Sequence, residues 1–151
     1  MAKILIINGP NLNMLGVRER KIYGLRPLPE INAELKTMAE QEGVDLEFFQ
    51  SNHEGDLVDC IQEAMGETDC IIINPGAYSH YSIAIYDALK AVEIPVIEVH
   101  LSNIYAREEF RKRSLISPLA AGGIFGLGPM GYKLALQAAI AQIKIRDGGR
   151  H

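Results

Sequence analysis

The sequence predicts an α/β domain: a doubly wound, five-stranded parallel sheet in the order 2-1-3-4-5, with helices on both faces. Three observations carry this expectation. Apolar runs of strand length alternate with segments of helical period along the chain. The runs Ile4-Leu5-Ile6-Ile7 and Ile71-Ile72-Ile73 are continuous rather than alternating, as strands covered on both faces are. No linker, repeat or low-complexity stretch divides the 151 residues, and a chain of this length buries roughly 70% of its unfolded surface in one core. Residues 1–151 therefore read as a single domain.

The strands are expected at residues 3–8, 44–50, 70–74, 95–99 and 120–125. Between them, Ile31, Leu35, Met38 and Ala39 recur at helical spacing before Gly43, a plausible stop. Leu57, Ile61, Ala64 and Met65 do the same before Gly66, and Ile85, Ala88, Leu89 and Val92 mark a third helix. A short fourth helix is expected over 107–113. The last is expected over 132–145, with Leu134, Ala138, Ala141 and Ile145 on one side, followed by a frayed polar tail at 146–151.

A net charge of −4 and a pI near 5.6 argue against a nucleic-acid partner. The local basic cluster of Arg107, Arg111, Lys112 and Arg113 reads mostly as a solvated helix face. Cys60 and Cys70 form no ligand-spaced pair and read as buried thiols of a reducing compartment. Met1-Ala2-Lys3 leads directly into a strand with no apolar segment of signal or membrane length, so the cytoplasm and no membrane partner are expected. The histidines at 53, 80, 100 and 151 are too scattered for a metal site.

In a 2-1-3-4-5 sheet, ligands bind beyond the carboxyl ends of strands 1 and 3, where the connections diverge. The segments after Asn8, Asn74 and Val99 should converge there. The first connection, residues 9–26, is far longer than the roughly 2 to 6 residues usual between a strand and a helix, which suggests a lid. It carries Arg18 and Tyr23. A tyrosine, with a reference pKa of about 10, serves as a base at neutral pH only if a cation stabilises the phenolate. The loop alone equally allows Tyr23 to pack on the core and Arg18 to be solvated.

After strand 3, Ser79 or Ser82 offers a helix cap whose N-terminus would attract an anion, and His80 is either a catalyst or a surface histidine. After strand 4, Glu98 and His100 lie two apart and so share a face of the strand. A carboxylate beside an imidazole at a strand end is the geometry of general acid catalysis, and an acid in an Ile/Val-rich strand needs a partner. Gly126-Leu127-Gly128-Pro129-Met130-Gly131 matches a dinucleotide-binding pattern but follows the last strand, so a tight turn with close helix packing explains it better.

These segments, taken in order, resemble the type II 3-dehydroquinase family. The likeness runs through Ile7 to Asn13, Leu15-Gly16, Arg18-Glu19 and Tyr23-Gly24, then Asn74 to His80 and Asp87-Ala88-Leu89. It continues in Glu98 to Asn103 and Arg107 to Arg111, and ends in Gly126-Leu127-Gly128 and Gly131-Tyr132. The resemblance implies a flavodoxin-like fold and a cofactor-free dehydratase converting 3-dehydroquinate to 3-dehydroshikimate, in the shikimate or quinate pathway. It makes Tyr23 the base, assisted by Arg18, and His100 the acid, oriented by Glu98. Asn11 would stabilise the enolate, while Asn74, His80, Leu101, Ser102 and Arg111 would hold the substrate. Asp87 would reach the site of a neighbouring subunit, in a dodecamer built from trimers. Arg20, Tyr86 and Arg113 depart from the family's commoner proline, arginine and histidine. A rival from another class is a flavodoxin-like binding domain that holds a phosphorylated ligand without turning it over. Within enzymes, the rival is a hydro-lyase or isomerase acting on another polyhydroxylated keto acid.

Overall fold

Strict alternation along the strands divides the apolar residues between two layers. In the computed structural model, which describes residues 1–24 and 26–148, the strands are β1 (Lys3–Asn8), β2 (Asp45–Gln50), β3 (Cys70–Asn74), β4 (Val96–His100) and β5 (Gly122–Phe125). The helices are α1 (Arg20–Tyr23), α2 (Leu28–Gln41), α3 (Glu54–Glu63), α4 (Ile83–Val92) and α5 (Met130–Gly148). Ile4, Ile6, Cys70, Ile72, Ile97 and Val99 face α2 and α5. Leu5, Ile7, Ile71, Ile73 and Val96 face α3 and α4. Each such aliphatic side chain contributes about 1.5–3 kcal/mol on leaving water, so a strand slipped by one residue would exchange its two faces and lose that match.

All pairings are parallel, in the order β2-β1-β3-β4-β5. This is the doubly wound, flavodoxin-like arrangement, and its β1 and β3 connections depart to opposite sides. Asn8 and Asn74, the last residues of those strands, are register partners. The hydroxyl of fully buried Tyr132, on α5, accepts from Asn74 Nδ2 at 3.0 Å and donates to Asn8 Oδ1. Gly9 then crosses Pro75 so closely that a Cβ would lie 2.5 Å from the Pro75 carbonyl oxygen, and its N–H donates to the Asn74 carbonyl at 2.8 Å. Only glycine fits there.

The structure differs from the sequence expectation in three places. No helix spans 107–113; two short 3-10 turns, Ile104–Ala106 and Glu109–Arg111, flank an extended Arg107. Burial of Ile104 and a cap from Asn103 Oδ1 to the Tyr105 N–H at 3.1 Å favour this path over a continuous helix. In α5 the buried face is Tyr132, Ala135, Leu136, Ala139, Ile140 and Ile143, whereas Ala141 and Ile145 are exposed and Leu134 and Ala138 half-buried. Apolar residues surround most of this helix, so periodicity does not single out one stripe. Helix α5 also continues through Gly148, with Arg146 paired to Asp69 at 3.0 Å; the rest of the expected tail lies outside the described residues. Among the described residues, no helix is long and apolar enough to cross a membrane.

Tyr132→Phe keeps the packing but leaves Asn8 and Asn74 without their shared buried partner. A stability loss of roughly 1–3 kcal/mol is expected, measured as a lower urea midpoint at unchanged slope; an unchanged midpoint would show that the hydroxyl ties nothing.

Candidate active site

The three strand ends feed one crevice. Asn11, Arg18 and Tyr23 come to it from the long first connection. Asn74 and His80 come from the end of β3 and the 3-10 turn Gly76–His80, and His100, Leu101, Ser102, Arg107 and Arg111 from the end of β4 and the turns beyond it. Leu12 and Leu15, both buried, anchor the long connection to the core. Arg20 Nε adds a bond to the Gly16 carbonyl at 3.0 Å. The long connection is therefore held at several points.

The Tyr23 ring packs against the core while its hydroxyl reaches the crevice. Arg107 Nη1 donates to the Tyr23 hydroxyl at 2.6 Å and to Ser102 Oγ at 3.3 Å. Arg18 does not occupy that position. Its guanidinium lies over the Tyr23 ring, 4.8 Å from the centroid, and pairs with Glu19. Two cations thus bracket the phenol, one on its oxygen and one on its π face. Glu108 accepts from Arg111 at 2.7 Å and lies 3.8 Å from Arg107, steadying both from outside the crevice.

Glu98 and His100 are nearly fully buried and 2.7 Å apart. Burial opposes ionisation of Glu98. The hydrogen bond and charge of His100, with the hydroxyls of Ser114 and Ser117, outweigh it and hold the carboxyl below its ordinary value. Because a carboxylate only accepts, His100 Nε2 carries the proton between them, and Nδ1 is the ring nitrogen left for the crevice. The His80 ring stacks near it, with centroids 6.3 Å apart. Its Nδ1 bonds the Arg113 carbonyl at 2.8 Å, which makes Nδ1 the donor and Nε2 a free acceptor. Burial, the strongest influence, lowers the His80 pKa, so the neutral ring is favoured.

The remaining expected residues are placed by backbone geometry. Asn11 adopts a left-handed conformation, φ 69°, that asparagine tolerates, and its N–H donates to Asn52 Oδ1 at 3.0 Å. Asn74 holds Tyr132 and accepts from the Gly76 N–H at 3.2 Å, leaving one amide proton for the crevice. The Leu101 and Ser102 amides donate to no backbone carbonyl among the described residues. Gly126 and Gly128, both at positive φ, donate their N–H groups to the His100 and Leu101 carbonyls at 3.1 and 3.0 Å. The glycine pattern is thus committed to carrying the β4 loop, not to a phosphate.

The family model for class II dehydroquinase matches residues 2–140. The chain belongs to the class II dehydroquinase family. A 3-dehydroquinate dehydratase of Nitratiruptor sp. is 58% identical over 136 residues, covering 90% of this chain and 87% of that protein. One from Sulfurovum sp. is 60% identical over 134 residues, covering 89% and 83%. The crystal structure of a type II dehydroquinase from Butyrivibrio crossotus superposes with a TM-score of 0.89 at 48% identity, covering 91% of this chain and 97% of that one. A 3-dehydroquinate dehydratase-like protein from Bifidobacterium longum gives 0.70 at 28% identity, covering 95% and 99%.

Within this dehydroquinase crevice, nine of the eleven residues singled out from the sequence are lining groups. Glu98 lies behind His100 rather than at the surface of the crevice, and Asp87 is exposed on α4, outside the lining. The α4 cap is Ser82, which accepts from the Ile85 N–H at 3.1 Å and donates to Glu54. Its acidic partner is a side chain of the protein, and Ser82 does not line the crevice. Arg107 is the residue sequence reasoning missed. The solvated helix face expected for the basic cluster is corrected accordingly: Arg107 and Arg111 turn inward, while Lys112 and Arg113 are exposed. Arg107's place in the quoted motif was the available signal; its target, fifteen residues of loop and two strands away in the fold, was not readable.

Because Glu98 has a lowered pKa, its stabilising effect is complete above the ordinary value of 4.5 and is lost as pH falls through the lower folded-state value. Replacing Glu98 by Gln should therefore flatten the decline of the urea midpoint as pH falls below the ordinary value of 4.5. An equally steep decline in the variant would place the acid sensitivity elsewhere.

Proposed function

We propose that this crevice dehydrates 3-dehydroquinate to 3-dehydroshikimate through a tyrosinate base, Tyr23, and an imidazolium acid, His100, without a cofactor. The carrying observation is the Tyr23 oxygen 2.6 Å from the Arg107 guanidinium, with Arg18 over the same ring. The reaction class follows from family membership and from relatives of 57–60% identity named 3-dehydroquinate dehydratase. The chain is accordingly a carbon–oxygen lyase, and its step serves the shikimate pathway, with quinate breakdown as the other use of the same chemistry.

Elimination of water from a β-hydroxy ketone needs a base, a donor for enolate charge and an acid for the leaving group. Tyrosinate takes the proton from the carbon beside the ketone, and the electron pair moves to the carbonyl oxygen as an enolate. Asn11, through a water, is the enolate donor. The pair then returns, the carbon–oxygen bond to the β-hydroxyl breaks, and His100 Nδ1–H supplies the proton that makes the leaving group water. Glu98, bonded to Nε2, stabilises the positive ring before transfer and fixes its orientation. The open amides of Leu101 and Ser102 suit the substrate carboxylate, His80 Nε2 and the Asn74 amide suit its hydroxyls, and Arg111 adds charge at the carboxylate side.

Asp87 acts across an interface in this reading, from α4 of one subunit into the crevice of the next, within trimers that build a dodecamer. Its exposure on α4, outside its own crevice, is compatible with that role.

Purified protein given 3-dehydroquinate should produce the absorbance of a conjugated enone, and its failure to do so would reject the proposal. Tyr23→Phe should bind substrate yet be nearly inactive. His100→Ala should lose about 10² to 10⁴ in kcat. Both Arg107→Ala and Arg18→Ala should move the base-controlled limb of the kcat profile to higher pH, Arg107→Ala further because its N–H meets the oxygen itself. Unchanged profiles in both would return the arginines to substrate binding. Separating the trimer without unfolding the subunit should abolish turnover, and a fully active monomer would remove Asp87 from the mechanism.

A further inference from the structure

We infer that Ser114 and Ser117 are positioning residues for the acid half of the site, holding Glu98 as a carboxylate behind His100. The inference rests on the assignment of His100 as proton donor. Glu98 is 2% exposed and pairs with no lysine or arginine among the described residues. In the sheet its register partners are Ile73 and Gly123, neither of which offers a side-chain donor. Its hydrogen bonds come instead from three groups. Oε2 accepts from His100 Nε2 at 2.7 Å and from Ser114 Oγ at 2.6 Å, and Oε1 accepts from Ser117 Oγ.

Donors on both oxygens favour the anion over the acid, which would have to turn its own proton against one of them. The anion in turn fixes the His100 tautomer, with Nε2–H towards Glu98 and Nδ1 towards the crevice. Without the serines, nothing but the histidine would compensate a buried charge, and the proton of the pair would be drawn towards the carboxyl.

Both serines belong to one segment that crosses the sheet face bearing Glu98. Its fully buried Ile116 packs in the α3–α4 layer. The Leu115 N–H donates to the Ser79 carbonyl at 2.7 Å, and the Arg113 carbonyl bonds His80 Nδ1 at 2.8 Å. One strap therefore sets both histidines. Ser114 also accepts from the Ile116 and Ser117 N–H groups, so it shapes the turn as well. Ser117 is exposed and, among the described residues, its hydroxyl bonds only Glu98, which makes it the cleaner probe. The other charged or titratable groups facing this pair, among the described residues, are His80, stacked on His100, and Arg18, Tyr23, Arg107 and Arg111, which line the same crevice.

The test titrates the Glu98 carboxyl carbon by NMR in ligand-free wild type, Ser117→Ala, Ser117→Thr, Ser114→Ala and Ser114→Thr, and measures kcat and KM against pH for each. Loss of either hydroxyl should let Glu98 take its proton about one pH unit higher, the scale of one hydrogen bond to a charged group. The acid-side loss of kcat should move up with it, with kcat at neutral pH lowered several-fold and KM little changed. The threonine variants, which keep a hydroxyl, should restore the wild-type profile. Glu98 titrating as in wild type in both alanine variants, or threonine performing no better than alanine, would overturn the inference and leave the serines as turn formers. A protein that leaves 3-dehydroquinate untouched would reject the reaction assigned above, but the titration of ligand-free protein would still decide whether the serines hold the charge.

Discussion

Two connections that leave neighbouring strands on opposite sides open a gap between them, and the width of that gap here depends on one buried hydroxyl. Tyr132 bonds both Asn8 and Asn74, which already face each other in the β1–β3 register. Water does not compete at this depth, so the bonds hold more firmly than they would at the surface. Gly9 packed on Pro75 and bonded to Asn74 extends the same junction by one residue. Everything beyond it on the two loops, from Asn11 to Tyr23 and from Gly76 to His80, starts from a fixed point.

The crevice holds its charges in separate groups. Arg18, Arg107 and Arg111 line it, with their acidic partners Glu19 and Glu108 outside the lining. Exposed ion pairs of this kind contribute little to stability, about 0–1 kcal/mol, and their effect is to aim the guanidinium groups. Behind the lining lies one buried carboxylate, Glu98, covered by an imidazole. A phenol against cations and an imidazole against an anion suit the base and the acid proposed above.

The sheet was legible because strands covered on both faces read as unbroken apolar runs, Ile4 to Ile7 and Ile71 to Ile73, a local property that holds whatever the rest of the chain does. Glu98 and His100 were legible as a pair because residues two apart on a strand share a face. Arg107 was not. Residues 107–113 have the composition of a solvated helix, and only the buried Ile104 and the Asn103 cap, acting from outside that window, bend the chain so that Arg107 reaches Tyr23. The buried face of α5 was hidden by a surplus of apolar residues, and the bond from Ser117 to Glu98 by having no period at all. For Tyr23 and His80 the residues alone left a structural and a functional reading open; the family resemblance supplied a base for the one and a substrate contact for the other, and in the fold Tyr23 packs its ring on the core with its hydroxyl towards the crevice.

The chain as a whole is negative, with a net charge of −4, yet the mouth of the crevice presents Arg18, Arg107 and Arg111. A small anion near the crevice meets local positive charge although the molecule is negative overall, and low-dielectric walls concentrate that field. Encounter is therefore filtered by location before any contact is made. Because that filter reaches only about a Debye length, some 8 Å at physiological ionic strength, it acts on the last few molecular diameters of approach and fades as salt is added.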